Sequence, residues 1–227
     1  MNRLLRLKTC TIALLASWLL VAWPAKSVAH PHMWIQAQVE VGFNAEGQVA
    51  MLTQTWLFDD MFSSYARQGL AQTGDGLPDP DELAEIGQSW IEALADPMSH
   101  YFTTVRYRNQ DVTVADAQGV RVQWHADTDQ MSLQFDLPLL RPFTPTDTPL
   151  TISVADPTFF VAYSFDEPDA VGLLGAPSSC QSRYQSPKPL DRQTAQRLAA
   201  IPADATLPDD LMEITQTLQH QVLVQCL

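Results

Sequence analysis

"HPHMWIQAQVEVGFNAEGQVAMLTQTWLF", residues 30–58, decides how this chain is read. Met33, Ile35, Ala37, Val39, Val41 and Phe43 fall on one face. His32, Trp34, Gln36, Gln38, Glu40 and Gly42 fall on the other. Period two is the mark of a half-buried strand. Asn44-Ala45-Glu46-Gly47 reads as a tight turn, and 48–58 as the returning strand. A hairpin closed on that turn sets Val41 against Ala50, Val39 against Leu52, Ile35 against Trp56 and Met33 against Phe58. A one-residue slip would turn the apolar set outward, so one face is strongly specified. The same register sets His32 opposite Asp59.

Downstream the period changes. Met61, Phe62, Tyr65, Ala66, Gly69 and Leu70 recur at helical spacing. "DPDELAEIGQSWIEALADP", residues 79–97, predicts a second helix. Asp79 is its N-cap, Pro80 suits the first turn and Glu82 completes a capping box. Leu83, Ile86, Trp90 and Leu94 are its apolar stripe. From His100 onward period two returns, with short strands expected at 101–108, 112–115, 120–125, 131–137, 150–155, 159–165 and 171–174. A turn at 167–169 separates the last two, a small helix is expected at 191–200, and a final strand at 222–226. "LPDDLMEI", 207–214, reads as another helix start. The expectation is a mainly β (α+β) chain: a single antiparallel β-sandwich-like domain, 30–227, with a two-helix insertion at about 59–98.

Residues 1–29 stand outside that fold. Arg3, Arg6 and Lys8 precede an apolar run at 11–23, and Ser27-Val28-Ala29 carries small residues where a signal peptidase cuts. A signal peptide cleaved after Ala29 is expected, which exports the mature chain of about 198 residues to the periplasm. No later segment approaches the ~20 apolar residues of a membrane helix, so an integral membrane protein is not expected. The leader takes four of the 13 basic residues with it, leaving nine against 26 acidic side chains and a formal charge of −17. Nucleic acid is a poor partner for such a surface, and cations or basic proteins are better ones. Cys10 leaves with the leader. Cys180 and Cys226 remain, and an even pair in an oxidising compartment reads as a disulfide, with two free thiols as the alternative.

Processing after Ala29 would make His30 residue one. Its α-amine and imidazole can chelate one ion together. His32 lies two residues on, the spacing that shares a strand face, and Pro31 biases His30 to an extended backbone. Imidazole and amine nitrogens suit zinc, nickel, cobalt and copper. Pro31 has no N–H, which excludes the square-planar site built on deprotonated backbone amides. The remaining forms are an amine-plus-imidazole brace, or two imidazoles completed by a carboxylate. Asp59 is that carboxylate in the expected register, or else a helix N-cap. Without a metal, the histidines are polar residues of an edge strand. His100, His125 and His220 are scattered. His100 or His125 could reach the site, but no spacing selects one.

"GDGLPDPDE", 74–82, resembles the back half of a calcium loop, with Asp75, Gly76, Asp79 and Glu82 at the appropriate offsets. Ala71 and Thr73 fill the front ligand positions, so the candidate is weak, and the capping box explains Asp79 and Glu82 without an ion. No nucleophile elbow, phosphate loop, dinucleotide fingerprint or His-Glu-x-x-His motif occurs.

The segments "HPHMWIQAQVEVGFNAEGQV", "WLFDDMFSSY", "SHYFTTV", "VADPTFFVAYSF" and the late Cys180 resemble a bacterial domain-of-unknown-function family of exported proteins. Its members are commonly labelled the periplasmic component of an uncharacterised ABC-type transport system. His-Pro-His-x-Trp and Phe-Asp-x-x-Phe-Ser (Phe58, Asp59, Phe62, Ser63) are the most specific parts. The resemblance implies metal handling for a nickel, cobalt or zinc transport system, and no catalytic residues come with it. A two-lobed receptor normally needs a longer chain. The expected function is therefore a non-enzymatic periplasmic accessory, a chaperone or substrate-binding component for divalent transition metals, partnered with an inner-membrane metal transporter. The alternatives are a copper-dependent oxygenase with an N-terminal histidine brace, and a non-metal β-sandwich interaction domain.

Overall fold

The computed structural model describes residues 30–166, 170–202 and 205–226. The expected leader, 1–29, and the expected turn at 167–169 lie outside the described residues.

The opening hairpin forms, with β1 at Met33–Phe43 and β2 at Val49–Phe58. Its register differs from the expected one by two residues. Ile35 faces Phe58, Ala37 faces Trp56, Val39 faces Gln54 and Val41 faces Leu52. The cause lies beside the turn. Asn44 Oδ1 accepts the amides of Glu46 and Gln48, and Gly47 takes a φ of 73°. A bulge at Gly42/Phe43 then absorbs the odd residues, with Phe43 facing Val49 and Gly42 facing Met51. An even slide leaves every side chain on its predicted face, so the alternation survives while the partners change.

The further strands are β3 (Thr103–Tyr107), β4 (Gln110–Asp111), β5 (Gln118–His125), β6 (Gln130–Phe143), β7 (Leu150–Val154), β8 (Val161–Ser164), β9 (Val171–Leu174), β10 (Cys180–Gln185) and β11 (His220–Cys226). One sheet runs β5-β6-β2-β1-β8, with β9 also on β1. The other runs β10-β11-β7-β3-β4. The α+β sandwich-like expectation holds, with two differences. First, β1 pairs in parallel with both β8 and β9, so the first sheet is mixed rather than antiparallel. Second, the strand expected at 112–115 contracts to a single bridge between Val114 and Leu139, while β10 was not foreseen.

Trp56, Phe135, Ile35, Leu52, Leu137 and Ile152 are among the fully buried side chains between the layers. Each such burial is worth about 1.5–3 kcal/mol. One polar thread crosses this core. Gln54, wholly buried, donates from Nε2 to Thr103 Oγ1 at 3.1 Å and accepts the Trp56 indole N–H at 3.3 Å. Thr103 donates in turn to the Tyr101 carbonyl at 2.9 Å. The thread ties β2 to the start of β3, where His100, Tyr101 and Phe102 all have positive φ.

The insertion holds α1 (Asp60–Arg67) and α2 (Pro80–Leu94). Phe58, Phe62 and Trp90 form an aromatic cluster that joins both helices to β2. Gly87 lets α2 lie close on β5: a Cβ there would stand 2.9 Å from Val122 Cγ2. Near the C-terminus, α3 (Arg192–Ala199) and α4 (Asp209–Thr215) pack Leu198, Leu207 and Leu211 into a second, smaller core with Phe159 and Leu190.

Candidate metal centre

His30 and His32 precede β1 rather than lying in it, because the ladder begins at Met33. The His30–Pro31 peptide bond is cis. The two imidazoles meet edge to face with ring centres 5.0 Å apart. His30 is 6% exposed. His30 Nδ1 and His32 Nε2 are both buried and, among the described residues, have no hydrogen-bond partner. Buried polar atoms are normally satisfied, so two orphan nitrogens on adjacent rings are an anomaly that a shared ligand would remove. Burial, and then the neighbouring His30 imidazole, hold the His32 pKa below its usual value. That favours the neutral ring, the form that binds metals.

The wall of the site comes from the segment before β8. The Phe160 ring stacks on His32 at 4.7 Å. The Phe160 carbonyl accepts the amides of His32 at 2.8 Å and Met33 at 3.2 Å. Asp156, 5% exposed, shapes this segment from inside. Sequence reasoning missed it, although Asp-Pro-Thr is a turn-forming run in which an Asp side chain commonly binds amides just downstream.

Asp59 lies elsewhere than expected. In the observed register it pairs with Trp34, not His32: its Oδ2 accepts the Trp34 amide at 2.8 Å and its own amide donates to the Trp34 carbonyl at 3.0 Å. Oδ1 accepts the Phe62 amide at 2.9 Å, which makes Asp59 the N-cap of α1. Ser63 is also structural: wholly buried, its Oγ accepts the Met131 amide at 3.0 Å. The Phe-Asp-x-x-Phe-Ser motif is thereby explained as the joint between β2, α1 and β6.

His125 is hydrogen-bonded through Nε2 to Ser132 Oγ at 2.8 Å. It lies on β5, three strands from β1, or about 14 Å at ~4.8 Å per strand. His100 lines a separate cleft of about 370 Å³ with Phe102, Ser153 and Thr215. His220 shares a hydrogen bond of 2.7 Å with Tyr184 through Nδ1 and stacks on Phe165. Among the described residues no group of three or more His, Cys, Asp or Glu side chains is placed to hold a metal ion. The structure brings His30 and His32 together without a third such side chain among the described residues.

The calcium-loop residues are each committed to local partners. Asp75 accepts from the Thr73 hydroxyl, which chiefly lowers its pKa. Asp79 accepts the Asp81 amide as N-cap of α2. Glu82 does not close the expected capping box: its Oε2 takes the Ala71 amide at 2.7 Å, while the Asp79 amide goes to the Ala71 carbonyl. The box opens because the 71–79 loop folds back on the helix start. Cys180 and Cys226 form the expected disulfide, directly opposite each other on β10 and β11.

A family model described as a protein of unknown function, DUF1007, matches residues 15–226. The chain belongs to the DUF1007 family. This DUF1007 chain is also similar to an uncharacterized protein of Haemophilus influenzae, 20% identical over 205 residues, covering 88% of this chain and 92% of that one. No described helix of the DUF1007 chain is long and apolar enough to cross a membrane.

Proposed function

We propose that this protein is an exported, non-enzymatic accessory that carries a divalent transition metal (zinc, nickel, cobalt or copper) on His30 and His32 for an inner-membrane metal transporter. The observation that carries the reading is the pair of buried, unpartnered nitrogens on rings 5.0 Å apart. Two metal–nitrogen bonds of ~2.0–2.1 Å can be made from rings at such a spacing. Removal of the leader after Ala29 in the periplasm would add the His30 α-amine as a third donor, and water or a transporter side chain completes the set. An open set suits a protein that must release its metal. Exposed Phe160, stacked on His32, and exposed Trp34, two residues beyond it in the chain, give a partner apolar surface to grip. The oxygenase reading is not favoured, since neither His100 nor His125 joins the pair.

The test is titration of the processed protein, its N-terminus verified by intact mass, with each of the four ions. One equivalent bound, with affinity lowered at least tenfold in His30→Ala and in His32→Ala, is expected. Absence of binding, or binding indifferent to both changes, would sink the proposal.

A further inference from the structure

We infer that Asp156 is the positioning residue of the histidine site, an assignment that rests on the metal-binding reading for its purpose but not for its geometry. His32 Nε2 has no hydrogen-bond partner among the described residues, so packing and backbone contacts are what orient the ring. Beside the edge-on His30 ring, Phe160 supplies both, through its stacked ring and the carbonyl that receives the His32 and Met33 amides. Phe160 is held by Asp156. Asp156 Oδ1 accepts the Thr158 amide at 2.8 Å and the Thr158 hydroxyl at 2.7 Å. Its Oδ2 accepts the Val161 amide at 2.9 Å, and its carbonyl accepts the Phe159 amide at 3.0 Å. Four bonds to one buried residue leave the five-residue turn little freedom.

The turn is also clamped from outside. Thr215 on α4 donates to the Pro157 carbonyl at 2.7 Å. Phe159 adopts a φ of 55° and sends its ring into the second core, so the chain must reverse there and Phe160 is turned toward His32. Left-handed backbone at a phenylalanine is costly and persists only where surroundings impose it. Here the Asp156 carboxylate, bonded to residues on both sides of Phe159, acts together with the Thr215 clamp and the second core to hold it. It stands to His32 as outer-shell carboxylates stand to ligating histidines, except that it acts through the backbone and ring of Phe160.

The experiment compares Asp156→Ala, Thr158→Val and Phe160→Leu with the processed wild-type protein, and uses Ser63→Ala as a control for general destabilisation. The first readout needs no metal: the His32 imidazole proton resonances in histidine-labelled protein, which the stacked Phe160 ring shifts. We expect that shift to vanish in Phe160→Leu, to collapse in Asp156→Ala, to shrink in Thr158→Val and to persist in Ser63→Ala. The second readout is zinc titration, expected to weaken about tenfold or more in Asp156→Ala and to be unchanged in Ser63→Ala. A His32 shift that survives in folded Asp156→Ala overturns the assignment. Should that variant not fold, an undiminished shift in Thr158→Val overturns it instead. A wild-type protein that binds no zinc, nickel, cobalt or copper overturns the metal reading, while the resonance shift still decides the role of Asp156.

Discussion

Asp59 and Trp34 are bound to each other twice, amide to carbonyl at 3.0 Å and carboxylate to amide at 2.8 Å. The other carboxylate oxygen caps α1 through Phe62. Asp59 thus spends both oxygens on backbone donors. Asp59→Ala is expected to cost about 1–2 kcal/mol, the usual loss of a good cap, and to leave metal affinity within about twofold. Thermal unfolding beside a metal titration checks both; a tenfold loss of affinity would return Asp59 to the ligand set.

Ser63 supplies the acceptor for the buried Met131 amide. Ser63→Ala leaves that donor without a partner, at a cost of about 1–3 kcal/mol. Denaturant unfolding should show a lower midpoint with an unchanged slope. Ser63→Cys, which keeps a weak acceptor, should lose less.

The Cys180–Cys226 disulfide spans 46 positions and pins β10 to β11. Chain entropy assigns a loop of that length about 4 kcal/mol. The Cys180→Ser/Cys226→Ser double variant is expected to unfold at markedly lower urea, with amides of β10 and β11 losing hydrogen-exchange protection first. Equal stability of oxidised and reduced protein would refute the estimate.

His220 carries a pKa lowered by burial, in spite of a hydrogen bond to the Tyr163 backbone that works the other way. Below the ordinary histidine value of about 6.5 the unfolded chain binds a proton that the folded chain resists. Stability therefore rises with pH between the lowered folded pKa and about 6.5, and is lost as pH falls through that same range. His220→Gln should flatten this acid-side slope below about pH 6.5. Unfolding free energies at several pH values measure it, and an unchanged slope would remove His220 as its source.

Much of the architecture could be read from local pattern. The alternation at 33–43 names the buried face of β1, and Asp79-Pro80 marks the start of α2 within one residue. The register could not be read, since sliding β2 by two residues preserves every inward side chain. What selects the true one is a bulge beside the turn together with the hydrogen bond that Asp59 accepts from the Trp34 amide. The parallel β1–β8 pairing was invisible for a related reason. It joins segments more than 120 residues apart, and nothing in the periodicity of either states its partner.

The candidate site divides the same way. The sequence by itself determined that two histidines stand beside an expected cleavage point, that Pro31 forbids a backbone-amide copper site, and that two late cysteines can pair. Only the tertiary structure decided which groups face them. It assigned Asp59 to a helix cap, took His125 about three strands away, and set Phe160 against His32 through a turn built on Asp156. The reason is physical: local spacing governs which face a side chain takes. Which distant group it meets depends on strand order and on hydrogen bonds that exist only once the sheets have assembled.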